Sequence, residues 1–171
     1  MFRLAPLLFT IVALLTTVGC SAAPPDTSAD LKAIAAVRDA YVAAFNAEDA
    51  DKTAAVYTTD AIAMGANEPQ ISGRDAIREN YKKTMAGMDF DIQLKSEETV
   101  VTGDWAFDRG QLWLHLMSKD PQSKMPMVMD QGKYLVILRK QPDNSWLVSR
   151  VMSNSSIPPP PPAAAPPAPA K

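Results

Sequence analysis

Cysteine and histidine are almost absent from this chain of 171 residues, which has one of each. A single cysteine excludes a disulfide within the chain, so the fold must depend on its hydrophobic core. One histidine and one cysteine also provide no cluster of soft ligands for zinc or a similar metal. An excess of one charge is lacking too, because the formal net charge is only −2. So small a charge does not indicate a nucleic-acid partner.

The cysteine, Cys20, follows an uncharged and mostly apolar segment, residues 4–18, that begins after an arginine. This pattern is typical of a signal peptide. Residues 17–20, Thr-Val-Gly-Cys, resemble the lipobox of bacterial lipoproteins. The resemblance implies cleavage of residues 1–19 and lipidation of Cys20, and Ser21 implies sorting to the outer membrane on the periplasmic side.

Acyl chains on Cys20 would hold the mature protein to a membrane. An ordinary signal peptide or an uncleaved anchor is the alternative interpretation. The apolar segment is shorter than the ~20 residues that span a bilayer, which favours the lipoprotein.

Both flanks of the central region are poor in residues that form a core. Residues 20–28 are predicted to be a lipidated linker, and residues 157–171 are almost wholly proline and alanine. This composition favours an extended or disordered tail. The tail is either a docking strip or spacer, or a solvated segment without a partner. One domain is therefore predicted over residues 29–156.

The first half of this domain has apolar residues at helical spacing. The pattern predicts one helix over residues 29–46 and a second over residues 50–57, with Asp49 as the N-cap of the second. Ser72 and Asp75 have the spacing of a capping box, which predicts that a third helix begins there. Three helices therefore precede the remainder of the domain.

The second half alternates apolar and polar residues, which predicts strands. The expected strands are residues 90–94, 99–102, 105–117, 127–139 and 146–154. Helices followed by a meander of antiparallel strands give an α+β fold. Residues 112–114, Leu-Trp-Leu, are apolar on both faces, which predicts a sheet covered by the helices on one side and by a second subunit on the other.

Several segments resemble the SnoaL-like and ketosteroid-isomerase-like branches of the nuclear transport factor two-like superfamily. They are residues 40–49, 57–61, 72–77, 132–134, 139–142 and 145–146, and the resemblance spans about residues 30–156. It implies a cone-shaped fold in which three N-terminal helices lie on a curved antiparallel sheet and enclose an apolar pocket, usually in a homodimer. Function varies widely within this superfamily, so the fold does not define the chemistry.

The resemblance also implies roles for particular residues. Tyr41 matches the tyrosine that polarises the substrate oxygen in ketosteroid isomerases, and Tyr57 and Tyr81 match two supporting tyrosines. The proton-shuttling carboxylate falls on Gly65 and the protonated acid of the oxyanion hole falls near Val136, so neither acid is present.

Without these acids the isomerase mechanism is not expected, because a tyrosine with a pKa near ~10 is a poor base at neutral pH. Glu68 is close in sequence to the missing carboxylate but is expected in an exposed loop. The three tyrosines either orient a polar atom of a ligand or satisfy one another in the core.

The last strand departs from the family as well. Many SnoaL-like domains end with arginine, aspartate, a hydrophobic residue, tryptophan and asparagine, whereas residues 150–154 read Arg-Val-Met-Ser-Asn. Val151 therefore replaces the acid and Ser153 replaces the indole. The resemblance implies a less polar and roomier pocket at this end.

The single histidine, His115, shares strand parity with Trp113 and Met117. If this face lines the pocket, His115 is the best remaining group for proton transfer. The alternative is a packed or interface histidine.

Methionines alternate along one predicted strand, at Met125, Met127 and Met129. Thioethers are suitable ligands for copper(I), but Pro126 interrupts the start of this strand. The pattern therefore favours a methionine-lined hydrophobic face or pocket rim.

Together these features predict a membrane-tethered domain of the bacterial envelope that binds a small apolar or amphipathic molecule in a conical pocket. No signature indicates a cofactor. The predicted pocket residues are Tyr41, Tyr57, Met64, Tyr81, Trp113, His115, Val136 and Val151. Two alternatives stay open: an isomerase, cyclase or hydrolase that uses Tyr41 with His115 or a bound water, and a module that binds another envelope protein.

Overall fold

The computed structural model describes residues 26–123 and 127–158. The predicted signal peptide, Cys20, Met125 and the tail beyond residue 158 lie outside the described residues. Three helices come first: α1 (Ser28–Asn46), α2 (Ala50–Ala55) and, later in the chain, α3 (Arg74–Gly87). None of the described helices is long and apolar enough to cross a membrane.

The described strands form one six-stranded sheet. They are β1 (Tyr57–Met64), β2 (Ile71–Ser72), β3 (Met88–Thr102), β4 (Trp105–Ser118), β5 (Val128–Lys140) and β6 (Trp146–Ser155), in the order β2-β1-β6-β5-β4-β3. The predicted α+β class is confirmed. One feature differs, because β1 runs parallel to β6 and the sheet is therefore mixed. These two strands are far apart in sequence, so no hairpin fixes their relative direction.

The start of α2 follows the prediction. Asp49 is its N-cap, and the Asp49 side chain accepts a hydrogen bond of 2.9 Å from the backbone N–H of Lys52. The helix ends earlier than expected, at Ala55, because Tyr57 already pairs with Val148 in the sheet.

The predicted capping box of α3 is wrong. Ser72 pairs with Ile62 as part of β2, and this pairing holds it in an extended conformation. Gly73 is the N-cap instead, with a φ of 92° that favours glycine, and no side chain caps the helix.

The helices cover only one face of the sheet. Along β4, residues of even number are buried or half-buried on the helical side. The opposite face, called here the outer face, carries exposed apolar side chains from three strands. They include Trp105, Met117, Met129, Leu135, Ile137 and Met152. The outer face is thus unusually apolar for a surface that the helices leave open.

A bulge after Ser96 makes β3 one bent strand, where the sequence predicted two separate strands. Residues three apart normally point to opposite faces of a strand, and the bulge reverses this. As a result, Ser96 and Thr99 both reach the side chain of Asp108 on β4. The strands approach closely here, because a Cβ on Gly110 would lie 2.0 Å from the carbonyl oxygen of Lys95.

Candidate ligand-binding site

One stripe of helix α1 faces the sheet across a cavity. Ile34, Arg38, Tyr41 and Phe45 are spaced by three or four residues, so they share one side of the helix. The cavity that they line has a volume of about 170 Å³ and is called here the inner cavity. The sheet contributes mostly apolar side chains to its wall, among them Ile92, Leu112, Leu114, Val136 and Leu138.

A wider space adjoins the inner cavity on the side of the loop that follows β1. This outer cavity has a volume of about 450 Å³. It shares Tyr41, Tyr57 and Val151 with the inner cavity, so the two spaces meet at these side chains. Met64 and Glu68 line only the outer cavity.

The three tyrosines meet through their hydroxyl groups. The Tyr81 hydroxyl lies 2.9 Å from that of Tyr57 and 3.4 Å from that of Tyr41. Burial, followed by interaction with the neighbouring hydroxyls, raises the pKa of all three side chains well above the usual value. At neutral pH the tyrosines are therefore uncharged, so they can donate hydrogen bonds but are not bases.

A buried carboxylate that sequence reasoning missed lies in the wall of the inner cavity. Asp108 is 1% exposed. It accepts hydrogen bonds from Thr99 Oγ1 at 2.8 Å, Arg38 Nη1 at 2.9 Å and the Tyr134 hydroxyl at 3.0 Å, and a fourth from Ser96. Four donors compensate for the cost of burying this charge.

Arg38 and Tyr134 are both affected by this carboxylate. Burial acts to lower the pKa of Arg38, but the hydrogen bond and charge of Asp108 outweigh it and the pKa is raised. Burial, followed by the charge of Asp108, raises the pKa of Tyr134. Arg38 therefore stays charged and Tyr134 neutral.

Asp108 lies directly opposite Val136 in the register of β4 and β5. The resemblance places an acid at Val136, so the structure puts a different acid on the adjacent strand at the same level. Two signals could have revealed this cluster: an aspartate on the otherwise uncharged face of β4, and Arg38 at helical spacing between Ile34 and Tyr41.

Six of the eight predicted pocket residues line the two cavities. Tyr41, Tyr57, Val136 and Val151 line the inner cavity, and Met64 and Tyr81 line the outer one. Their role in binding a ligand stays a prediction.

Trp113 and His115 do share one face of β4 with Met117, but it is the outer face, away from both cavities. His115 is 46% exposed, with its Nδ1 3.5 Å from Asp91 Oδ2. Met127 and Met129 are exposed as well and line neither cavity, so they do not form a pocket rim. Among residues 26–123 and 127–158, no three His, Cys, Asp or Glu side chains are grouped to hold a metal ion.

Glu68 is exposed, as expected, but it folds back over Gly65. Its Oε2 lies 3.1 Å from the point that a Cβ on Gly65 would occupy. A carboxylate therefore does lie close to the position where the resemblance places the missing proton shuttle. The backbone turns at Asn67, which has a φ of 59°.

The helices, the bent sheet and the two cavities between them define a cone-shaped α+β domain. The family model of the SnoaL-like domain matches residues 37–137, so the chain belongs to the SnoaL-like family. Comparison with the curated proteins gave no match.

Solved structures show the same fold. A ketosteroid isomerase-like protein from Erwinia carotovora atroseptica is 29% identical, with a TM-score of 0.69 over 77% of this chain and 99% of its own. A candidate aromatic ring hydroxylase from Novosphingobium aromaticivorans is 25% identical. Its TM-score is 0.68, and the match covers 76% of this chain and 91% of the hydroxylase chain. A nuclear transport factor 2-like superfamily protein from Salmonella enterica serovar Typhimurium is 16% identical, with a TM-score of 0.68. The match covers 77% of this chain and 94% of the Salmonella chain, and at this identity it shows similarity of fold alone.

Because the pKa values of the tyrosines are raised, we expect the protein to lose stability at alkaline pH. Each of the four has a raised pKa in the folded state, against a value near ~10 when unfolded. Their contribution to the free energy of unfolding is complete below pH ~10 and is lost as the pH rises beyond it, because only the unfolded chain ionises readily. We expect tyrosinate absorbance and loss of circular dichroism to rise together in an alkaline titration, with a urea-denatured sample as the control. Tyrosinate formation near pH ~10 in a fully folded protein would contradict this.

Proposed function

We propose that this chain is a binding protein for a small, mostly apolar molecule, held in the adjoining inner and outer cavities. The observation that carries the proposal is a cleft between helix and sheet whose wall is largely apolar and has only a few polar groups at fixed places, as in many ligand sites. SnoaL-like and related folds commonly bind small molecules or catalyse isomerase or dehydratase reactions.

The polar groups of the inner cavity favour binding over proton transfer. All three tyrosines are neutral, and the Asp108 oxygens are occupied by four donors. A general base needs a free lone pair within reach of the substrate. Within the described residues, the inner cavity offers no such carboxylate.

Blocking the cavity should abolish binding. Val151→Phe adds a ring where the two cavities meet, whereas Met152→Phe adds the same ring on the outer face, where Met152 is 50% exposed. The described helices and strands lie within residues 28–155, so a soluble form beginning at Ser21 keeps them all. We expect native mass spectrometry of this form, isolated from the envelope of its host, to show a bound mass. Val151→Phe should bind the ligand at least about tenfold more weakly, which corresponds to roughly 1.4 kcal/mol, and should therefore lose most of this mass.

Met152→Phe should retain the bound mass. Equal occupancy in the two variants would place the ligand outside the cavities. An empty wild-type protein, even after exposure to an envelope lipid extract, would argue against a binding function.

A second function is supported by the position of Glu68. Its carboxylate lies over Gly65 in the wall of the outer cavity, which Tyr41 also lines. We infer that Glu68 is available to take a proton from carbon beside a substrate carbonyl, while Tyr41 donates to the developing oxyanion. The alternative enzyme therefore uses Tyr41 with Glu68 rather than with His115.

Proton exchange tests this alternative directly. If the protein is such an enzyme, butyrophenone in deuterated buffer should gain deuterium beside its carbonyl, as followed by NMR. Glu68→Gln should slow the exchange by about a hundredfold or more, because it removes the base. Glu97→Gln on the outer face of the sheet is the matched control and should not change the rate. If exchange is no faster than in buffer, the enzyme alternative is contradicted and binding is the remaining proposed function.

Tethering and dimerisation complete the proposal. Cys20 in its lipobox-like context supports a lipid anchor in the outer membrane, facing the periplasm. The exposed apolar side chains of the outer face support a homodimer formed through the sheet.

One substitution tests both features. Cys20→Ser should move the protein from the membrane pellet to the soluble fraction, because no acyl chain can be attached. Ser21→Ala is the matched control and should stay in the pellet. Sedimentation equilibrium of the protein in the soluble fraction should give the mass of two chains. Retention of Cys20→Ser in the pellet would contradict the lipid anchor, and a monomeric mass would contradict the dimer.

A further inference from the structure

Arg38 has hydrogen-bonding capacity that the fold does not use. A guanidinium has five N–H donors, and in the described part of the chain only Nη1 of Arg38 has a hydrogen-bond partner, Asp108. The remaining donors are not sealed in the core, because the only buried side-chain polar atom without a partner among the described residues is Thr58 Oγ1. The Arg38 side chain is 19% exposed and lines the inner cavity.

We propose that Arg38 is the polar anchor of the cavity and donates a hydrogen bond to an acceptor oxygen of a neutral, mostly apolar ligand, such as a ketone or an ester. The inference rests on the proposed binding function and adds the chemical class of the molecule. Asp108 does not contact the ligand. It holds the guanidinium against the wall, and Tyr134, Ser96 and Thr99 hold Asp108 in turn.

The charges of the residues that line the cavity favour a neutral ligand. Arg38 and Asp108 form a neutral pair, and every other residue in the inner-cavity wall is uncharged. An anionic ligand would add an unbalanced negative charge beside Asp108 in apolar surroundings, which is costly. The outer cavity is lined by Glu68 and Asp130, which would also repel an anion. In the inner cavity a cationic group gains little, because four donors already occupy Asp108 and the Arg38 guanidinium would repel it.

The position of Arg38 also orients the ligand. Arg38 lies three residues before Tyr41 on the same stripe of α1, a rise of about 4.5 Å. Because this is slightly less than one helical turn, an oxygen bound at Arg38 would lie on the N-terminal side of Tyr41 along α1. The rest of the molecule would follow the apolar wall of Leu112, Leu114 and Val151, which both cavities share.

Three probes with the same number of carbons test this inference on the soluble form from Ser21. Butylbenzene has no polar atom, butyrophenone has one acceptor oxygen, and phenylbutyrate is an anion. We expect butyrophenone to bind about tenfold or more tightly than either of the others, as measured by titration calorimetry, because it alone gains the hydrogen bond without an unbalanced charge. Butyrophenone, but not butylbenzene, should also shift the Arg38 Nε–H signal in NMR spectra.

A double variant, Arg38→Met with Asp108→Leu, tests the role of Arg38. It removes the guanidinium donors together with the carboxylate that pairs with them. Removing Arg38 alone would leave a buried carboxylate without its charge partner, whereas replacing a buried ion pair by apolar residues is often tolerated. In the double variant butyrophenone should no longer bind more tightly than butylbenzene, because its buried carbonyl oxygen has lost the donor. Arg109→Met, which removes an arginine from the outer face, should keep the preference for butyrophenone.

Each failure has its own signature. If butylbenzene and butyrophenone bind wild type equally, or phenylbutyrate binds tightest, the inference is overturned and the binding function stands. If the double variant keeps the preference, another group is the anchor and the inference is overturned. If no probe binds wild type, the proposed function and the inference fail together. The NMR shift is measured on wild type, so it decides the inference even if the double variant does not fold.

Discussion

The ion pair between Arg38 and Asp108 ties the separate parts of this domain together. Asp108 is on β4, and its hydrogen-bond donors come from α1, from both sides of the bulge in β3, and from β5. A buried carboxylate that loses a partner destabilises a protein by several kcal/mol. The helix, the bend in the sheet and the depth of the cavity therefore form a single cooperative unit, and the bulge is a requirement of the cluster.

The two polar clusters differ in what they leave unsatisfied. The tyrosine hydroxyls bond one another, and the carboxylate of Asp108 is enclosed by donors. Arg38 alone combines a fixed position with spare donors. A site of this kind selects for an acceptor and against a base, which distinguishes this cavity from one built around free carboxylates.

The sequence predicted the helices, the strand meander and the tyrosine positions, because each of these follows from local periodicity or from segments that resemble the family. It did not predict which face of β4 points inward. Leu112, Trp113 and Leu114 are all apolar, so alternation alone cannot assign the faces, and the sequence favours Trp113 and His115 as pocket residues although both lie on the outer face. Spacing can mark Arg38 and Asp108 each as a charged residue on an inward face, but it cannot show that they pair, since they are 70 positions apart.

The first turn of α1 has a consequence for where the protein can work. The helix begins at Ser28, only eight residues beyond Cys20. With Cys20 anchored as proposed, even a fully extended linker spans at most roughly 28 Å. The domain would then be confined to a thin layer above the lipid headgroups. A water-insoluble molecule leaving the bilayer would meet the domain within nanometres, so exchange between membrane and protein would need no soluble carrier.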